Sequence, residues 1–177
     1  GYSFKFVWAP IVDFLPLPFL SQYLGRRRSW ILVSQIAIII SISLMAMTDP
    51  SRGDLQLKMM AFAAIALGFS SATQDIVIDA YRIESAPPDL QALMASTYIA
   101  GYRIGMLISG AGSLLLASLF GSEMHSYNYD AWRFTYLFMG FFMLIGIITT
   151  LIVNEPKEHK AIEKKIFKLY IHKILFD

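Results

Sequence analysis

The chain has 177 residues, 56% hydrophobic and 14% aromatic, with only 16% charged, against about 25% charged in ordinary soluble domains. That is the profile of a membrane protein. A chain without cysteine has no disulfide, thiolate metal site or cysteine nucleophile, and a net charge of +2 says little until its distribution is known.

A membrane-spanning helix needs about 20 apolar residues, so the chain has room for four spans and part of a fifth. His125, His159 and His172 show no metal-ligand spacing, and no cofactor or nucleic acid is expected. Gly1 is followed at once by an apolar run, without a charged region and small-residue cleavage site, so no signal peptide is read. The chain reads as a piece of a longer membrane protein or the product of a split reading frame.

Residues Tyr2 to about Asp13 form a short run containing Lys5, read as the second half of a helix. Lys5 faces a cavity or snorkels toward a pairing partner. The connection after Asp13 holds Pro16, Pro18 and Gly25, then Arg26, Arg27 and Arg28. Prolines argue against a continuing helix, and consecutive arginines mark a cytoplasmic loop. The next span, about 30–48, carries no charge until its end. Trp30 sits where an interfacial aromatic belongs, and Ser34, Ser41 and Ser43 are placed to bond back to the helix backbone.

The span at about 57–82 carries small residues from Ala61 to Ala72 and then Gln74-Asp75-Ile76-Val77-Ile78-Asp79-Ala80-Tyr81-Arg82. Small residues let helices approach closely in lipid. Asp75 and Asp79, four apart, share one helical face. Carboxylates inside a bilayer are costly and by default mark a solute or proton path; the plain alternative is pairing with a neighbouring cation to hold helices together. Pro87-Pro88 ends this element. The span at about 93–120 contains Gly101-Tyr102-Arg103-Ile104-Gly105, a GxxxG pair favouring close packing with a second costly charge, Arg103. The span at about 134–153 is uncharged and ends at Asn154-Glu155-Pro156. The tail, 156–177, stacks Ile162, Ile166, Tyr170 and Ile174 at four-residue spacing among six lysines, a basic amphipathic helix for an anionic membrane surface; a linker or out-of-frame sequence explains it equally well.

Loops on one side carry Arg26, Arg27, Arg28, Arg82 and the six tail lysines, and the other side Arg52, Lys58 and Arg133. The positive-inside rule therefore places the arginine triplet and the C-terminus in the cytoplasm. Asp75 then lies about 12 Å from the cytoplasmic end of its span and Arg103 about 15 Å from the end of its own. Similar depths predict an Asp75–Arg103 pair, leaving Asp79 as the freer, titrating carboxylate.

Lys5-Phe6-Val7-Trp8-Ala9-Pro10 through Asp13, with Leu24-Gly25-Arg26-Arg27-Arg28, resembles the second-to-third-helix signature of the major facilitator superfamily. Ser71 through Ala80 and Gly101-Tyr102-Arg103-Ile104-Gly105-Met106 closely resemble the AmpG-like muropeptide permeases within it; acetyl-CoA transporters share parts of these motifs. The resemblance covers residues 1 to about 155. It implies an all-α, polytopic membrane helix bundle, the partial N-terminal half of a major facilitator fold holding helices two to six. It implies a proton-coupled importer of anhydromuropeptides in the bacterial inner membrane, and no enzyme. A lipid phosphotransferase built on paired aspartates would need a third acidic ligand that the span lacks. By the resemblance, Lys5, Gln74, Asp75, Asp79, Tyr102 and Arg103 line the proton and substrate path. Asp13, Gly25, Arg26 and Arg27 form a cytoplasmic gate, and Arg28 serves topology alone. Family members work as two halves with substrate between them, so the expected partners are lipid, muropeptide, proton and a second half on another chain. A non-transporting remnant is the other outcome.

Overall fold

The computed structural model describes residues 8–10, 12, 15, 17–122 and 127–156. Lys5, Asp13, His125 and the basic tail lie outside the described residues. The described elements are helices: α1 Leu20–Leu24, α2 Arg26–Met47, α3 Asp54–Ser85, α4 Gln91–Leu107, α5 Ser113–Leu119 and α6 Tyr129–Ile152. A π turn, Ile108–Gly112, joins α4 to α5, so Pro88–Leu119 runs as one rod. Four helices among the described residues are long and apolar enough to cross a membrane: Arg26–Met47, Asp54–Ser85, Pro88–Leu119 and Tyr129–Ile152.

The helices overrun the apolar stretches that mark them. α2 begins at Arg26 because Gly25, at φ +91°, turns the chain sharply into it; such a φ suits glycine. α3 begins at Asp54, an acid in the first turn, where the helix dipole favours negative charge. The side chain of Asn128 caps α6, accepting from the N–H groups of Asp130 and Ala131 at 3.1 and 3.3 Å. Its oxygen satisfies donors that have no intrahelical partner.

α2 is the central helix. It packs along α3 on one side and α6 on the other, and α5 leans on α6. The core joins Val12, Trp30, Ile31 and Val77, flanked by Trp8, Leu17, Ile78 and Tyr81. Trp30 is therefore not an interfacial anchor: it is buried, and its indole N–H donates to the Leu15 carbonyl at 2.8 Å. The adjacent chain crosses over it and supplies the acceptor that a buried indole needs. Ser34 and Ser41 do bond back, to the carbonyls of Trp30 and Ala37, each at 2.8 Å. Trp8 tilts against Phe69 with ring centroids 5.1 Å apart, and its N–H donates to Thr73 Oγ1 at 3.1 Å.

Close helix approach is found on α6 rather than at the GxxxG pair. A Cβ at Gly140 would meet Ile42 at 3.5 Å, and one at Gly146 would meet Gln35 Nε2 at 3.1 Å, whereas one at Gly101 or Gly105 meets nothing within 4 Å. Gln35 is buried and accepts from Thr150 Oγ1 at 3.1 Å, so a polar pair and a glycine fix the α2–α6 separation together. Gly146→Leu should overpack this contact and destabilise the chain by about 1–3 kcal/mol, while Gly101→Leu should be close to neutral. Unfolding of the purified protein by sodium dodecyl sulfate titration reads the difference.

The turn between α2 and α3 is held by Asp49. Its carboxylate accepts from the Ser51 N–H at 3.0 Å, the Ser51 hydroxyl at 2.6 Å and Arg52 Nε at 3.1 Å. The Ser51 hydroxyl above all, with Arg52 helping, holds the carboxyl below the ordinary aspartate range. A lowered folded-state pKa stabilises the turn above the unfolded pKa of about 3.9 and loses that stabilisation as pH falls through the folded value. Asp49→Asn should remove this acid-dependent part of the unfolding midpoint, measured between neutral pH and pH 3.

Candidate functional site

Two polar regions stand out, one where the start of α2 meets the ends of α3 and α6, the other along α3. At the first, the arginine triplet opens α2. Arg27 is buried, and its guanidinium grips Glu84 at the end of α3, with Nη2 2.5 Å from Oε1 and Nε 3.2 Å from both oxygens. This bidentate fork needs the planar geometry of arginine.

Glu155, just past α6, accepts from the backbone N–H groups of Arg27 at 2.8 Å and Arg28 at 3.2 Å. It thus caps α2 with a full negative charge where the dipole is positive. Arg28 returns the favour. Its Nε donates to the Thr150 carbonyl at 2.9 Å and its Nη2 to the Leu151 carbonyl at 2.7 Å, placing positive charge on the open carbonyls at the C-terminus of α6. The Tyr81 hydroxyl adds a bond to the Asn154 carbonyl at 2.5 Å. Three helix ends are thereby tied at one level: α2 to α6 by reciprocal caps, α2 to α3 by an ion pair, and α3 to the α6 exit by Tyr81. Arg28, expected to serve topology only, is a cap. Glu84, Glu155 and Tyr81 were not singled out in the sequence. Their signal is position: each lies near the end of a span at the level of the arginines, where the two glutamates supply counter-charges to a cation cluster.

Gly25 belongs to this clasp in two ways. Its positive φ opens α2, and a methyl group there would overlap the Glu155 side chain. Arg26 is engaged as well.

In the second region, Gln74, Asp75 and Asp79 sit half-buried along α3. Arg82, one turn past Asp79, lies with Nη2 3.7 Å from Asp79 Oδ1. The Arg82 guanidinium also lies 5.6 Å from the ring centroid of Tyr98 on α4. Asp75 is engaged, but not by Arg103. Among the described residues the ion pairs are Arg27–Glu84, Arg52–Asp49 and Arg82–Asp79. Arg103 and Tyr102 are exposed on the rod. Equal depth did not make a pair because depth fixes position along the membrane normal alone. The rod leans on α6 through α5, and no residue of α4 is buried. Asp79, expected as the freer carboxylate, has Arg82 beside it at 3.7 Å. No group of three or more histidine, cysteine or acidic side chains able to hold a metal occurs among the described residues.

A family model described as the Major Facilitator Superfamily matches residues 3–174. The Rickettsia felis protein AmpG 4 is 36% identical over 157 residues, covering 89% of this chain and 35% of that protein. The anhydromuropeptide permease of Escherichia coli K12 is 34% identical over 166 residues, covering 94% of this chain and 30% of the permease. A Haemophilus influenzae protein without assigned function is 39% identical over 157 residues, covering 88% and 33%. The chain thus spans about a third of the length of the curated relatives it matches. No solved structure matches it. Helices long and apolar enough to cross a membrane and a family match across nearly the whole chain agree: this chain is an AmpG-like member of the major facilitator superfamily, a multi-pass membrane transporter family.

Proposed function

We propose that the chain forms part of a proton-coupled carrier importing anhydromuropeptides across the bacterial inner membrane, with its C-terminus in the cytoplasm. The observation that carries the reading is the 34% identity to a named anhydromuropeptide permease over 94% of the chain. Carboxylates within a span support it, because ionisable groups are kept there for transport tasks. In this reading Asp75, Asp79 and Gln74 on α3, with Tyr102, Arg103 and Lys5, face the path of proton and solute. Substrate sits between this set of helices and a second half that another chain or a longer chain supplies. Asp13, Gly25, Arg26 and Arg27 act at the cytoplasmic gate, where the clasp to Glu84 and Glu155 holds the helix ends together when the gate is closed.

The test is complementation: this chain is expressed in a bacterium lacking its muropeptide permease, and uptake of labelled anhydromuropeptide is followed. Uptake supports a working carrier assembled with itself or a host partner. A membrane-inserted chain without uptake limits the reading to longer relatives. In a full-length relative, asparagine at the position matching Asp79 should abolish proton-coupled uptake while protein level holds. Retained uptake with reduced protein would instead assign Asp79 to packing.

A further inference from the structure

The rod Pro88–Leu119 is built in two unlike halves. Its outer part, α5, packs against α6, with Phe120 and Phe134 rings 5.8 Å apart near the end of the contact. Its inner part, α4, contributes no buried residue. Between them lies the π turn Ile108–Gly112, Ile-Ser-Gly-Ala-Gly. A π turn breaks the regular bonding ladder and is a recurrent site of helix distortion. Glycines in it lower the resistance to bending further. The inner half is nevertheless tethered to α3. Gln91 Nε2 donates to the carbonyls of Ile83 at 2.9 Å and Ala86 at 2.7 Å, and Tyr98 faces the Arg82 guanidinium. Arg82 is held weakly on its other side: Asp79 is 3.7 Å away, and Nε is buried without a hydrogen-bond partner.

We propose that α4 is a swinging arm hinged at the Ile108–Gly112 π turn and latched to α3 by Tyr98 on Arg82, so that Arg82 is a positioning residue linking the arm to the Asp79 carboxylate. With the arm latched, Tyr98 covers the guanidinium and Arg82 stays beside Asp79. With the arm away, Arg82 loses its aromatic cover and is free to turn to water, and Asp79 loses its nearest cation. The arm and latch stand on geometry alone; their bearing on a proton or solute path rests on the transport reading above.

The chain has no native cysteine, so spin labels can be placed cleanly. Labels at Ile83→Cys and Ser96→Cys, both exposed, report the inner distance by pulsed electron resonance in liposomes. Labels at Leu119→Cys and Leu137→Cys, also exposed, report the outer one. The inner pair should show two distances and the outer pair one. Removing a cation–aromatic contact changes an equilibrium by about two- to fivefold at exposed sites, so Tyr98→Ala should raise the longer inner population by that factor, while Tyr98→Phe should not. Asp79→Asn should raise it too, because Arg82 then lacks its anchor. Gly110→Ala with Gly112→Ala should lower it by stiffening the hinge: a Cβ at Gly110 meets nothing within 4 Å, and one at Gly112 makes ordinary contact with Ile108 and Met139 at 3.8 Å. An unchanged outer distance certifies folding in each variant. One inner distance in every variant, or equal effects of Tyr98→Ala and Tyr98→Phe, would overturn the proposal. Because uptake is not the readout, failure of the transport reading leaves these results interpretable, and the reverse holds as well.

Discussion

Arg27→Ala should be among the most damaging single changes in the chain, lowering stability by about 3–5 kcal/mol. The reason is what it leaves behind. Arg27 is 4% exposed and the Glu84 side chain 19%, so truncation takes the bidentate partner from a carboxylate at a packed helix junction. Breaking a buried pair costs far more than the pair contributes net, because desolvation of the surviving charge is no longer offset. Arg27→Lys should recover only part of the loss, since an ammonium point charge cannot reproduce the fork. The discriminating variant is Arg27→Met with Glu84→Met. Removing both charges should restore a portion of the stability lost by either single change. Restoration stays incomplete because both side chains engage other groups as well. Midpoints of sodium dodecyl sulfate unfolding for the native chain, Arg27→Met, Glu84→Met and the double variant, with Arg27→Ala alongside and at fixed ionic strength, decide the matter. A double variant no better than Arg27→Ala would show that the position depends on packing of the arginine stem and not on the charge pair.

The spans themselves were readable because nothing competes with them: a run such as Trp30–Met47, free of charge, has few alternatives to a crossing helix. Their ends were not, since apolarity marks the hydrocarbon and not the hydrogen-bond ladder. Arg26–Arg28 look like loop residues yet form the first turn of α2, because Glu155 arrives from the far end of the sequence to cap them. That partner lies 128 positions from Arg27, and local pattern carries no information about it. The arginine triplet was recognisable as a cation cluster at the end of a span; its division into an ion-pairing Arg27 and a carbonyl-capping Arg28 needed three-dimensional placement. The α3 acidic face was legible from the four-residue spacing. Its pairing was not, because the lateral course of the fourth span is set by α5 on α6 and by a π turn hidden in Ser109-Gly110-Ala111-Gly112. Hence the charged side chain of α3 that meets the fourth span is Arg82, against Tyr98, and Arg103 does not pair with Asp75.

Gly25→Ala should cost more than its size suggests, and the cost should depend on Glu155. Two penalties add at this position. Alanine at φ +91° and ψ 165° enters a region open essentially only to glycine, worth roughly 1–3 kcal/mol. The new methyl also claims the space of the Glu155 side chain, which must withdraw from the N–H groups of Arg27 and Arg28. Hydrogen bonds to a charged group contribute about 1.5–3 kcal/mol, and part of that is lost when the carboxylate moves. Glu155→Ala alone should forfeit this second part and leave the glycine unstrained. In the Glu155→Ala background, Gly25→Ala should then cost only its backbone term, so the double variant is more stable than the sum of the singles implies. The signature is a coupling of about 1 kcal/mol or more in a double-mutant cycle, read from unfolding midpoints of the purified chain. Strict additivity would mean that the carboxylate finds another route to the α2 N-terminus and that Gly25 is needed for its backbone angle alone. Coupling would mean that the glycine and the glutamate, 130 positions apart in the sequence, form one joint: the glycine makes the opening through which the exit of α6 locks the start of α2.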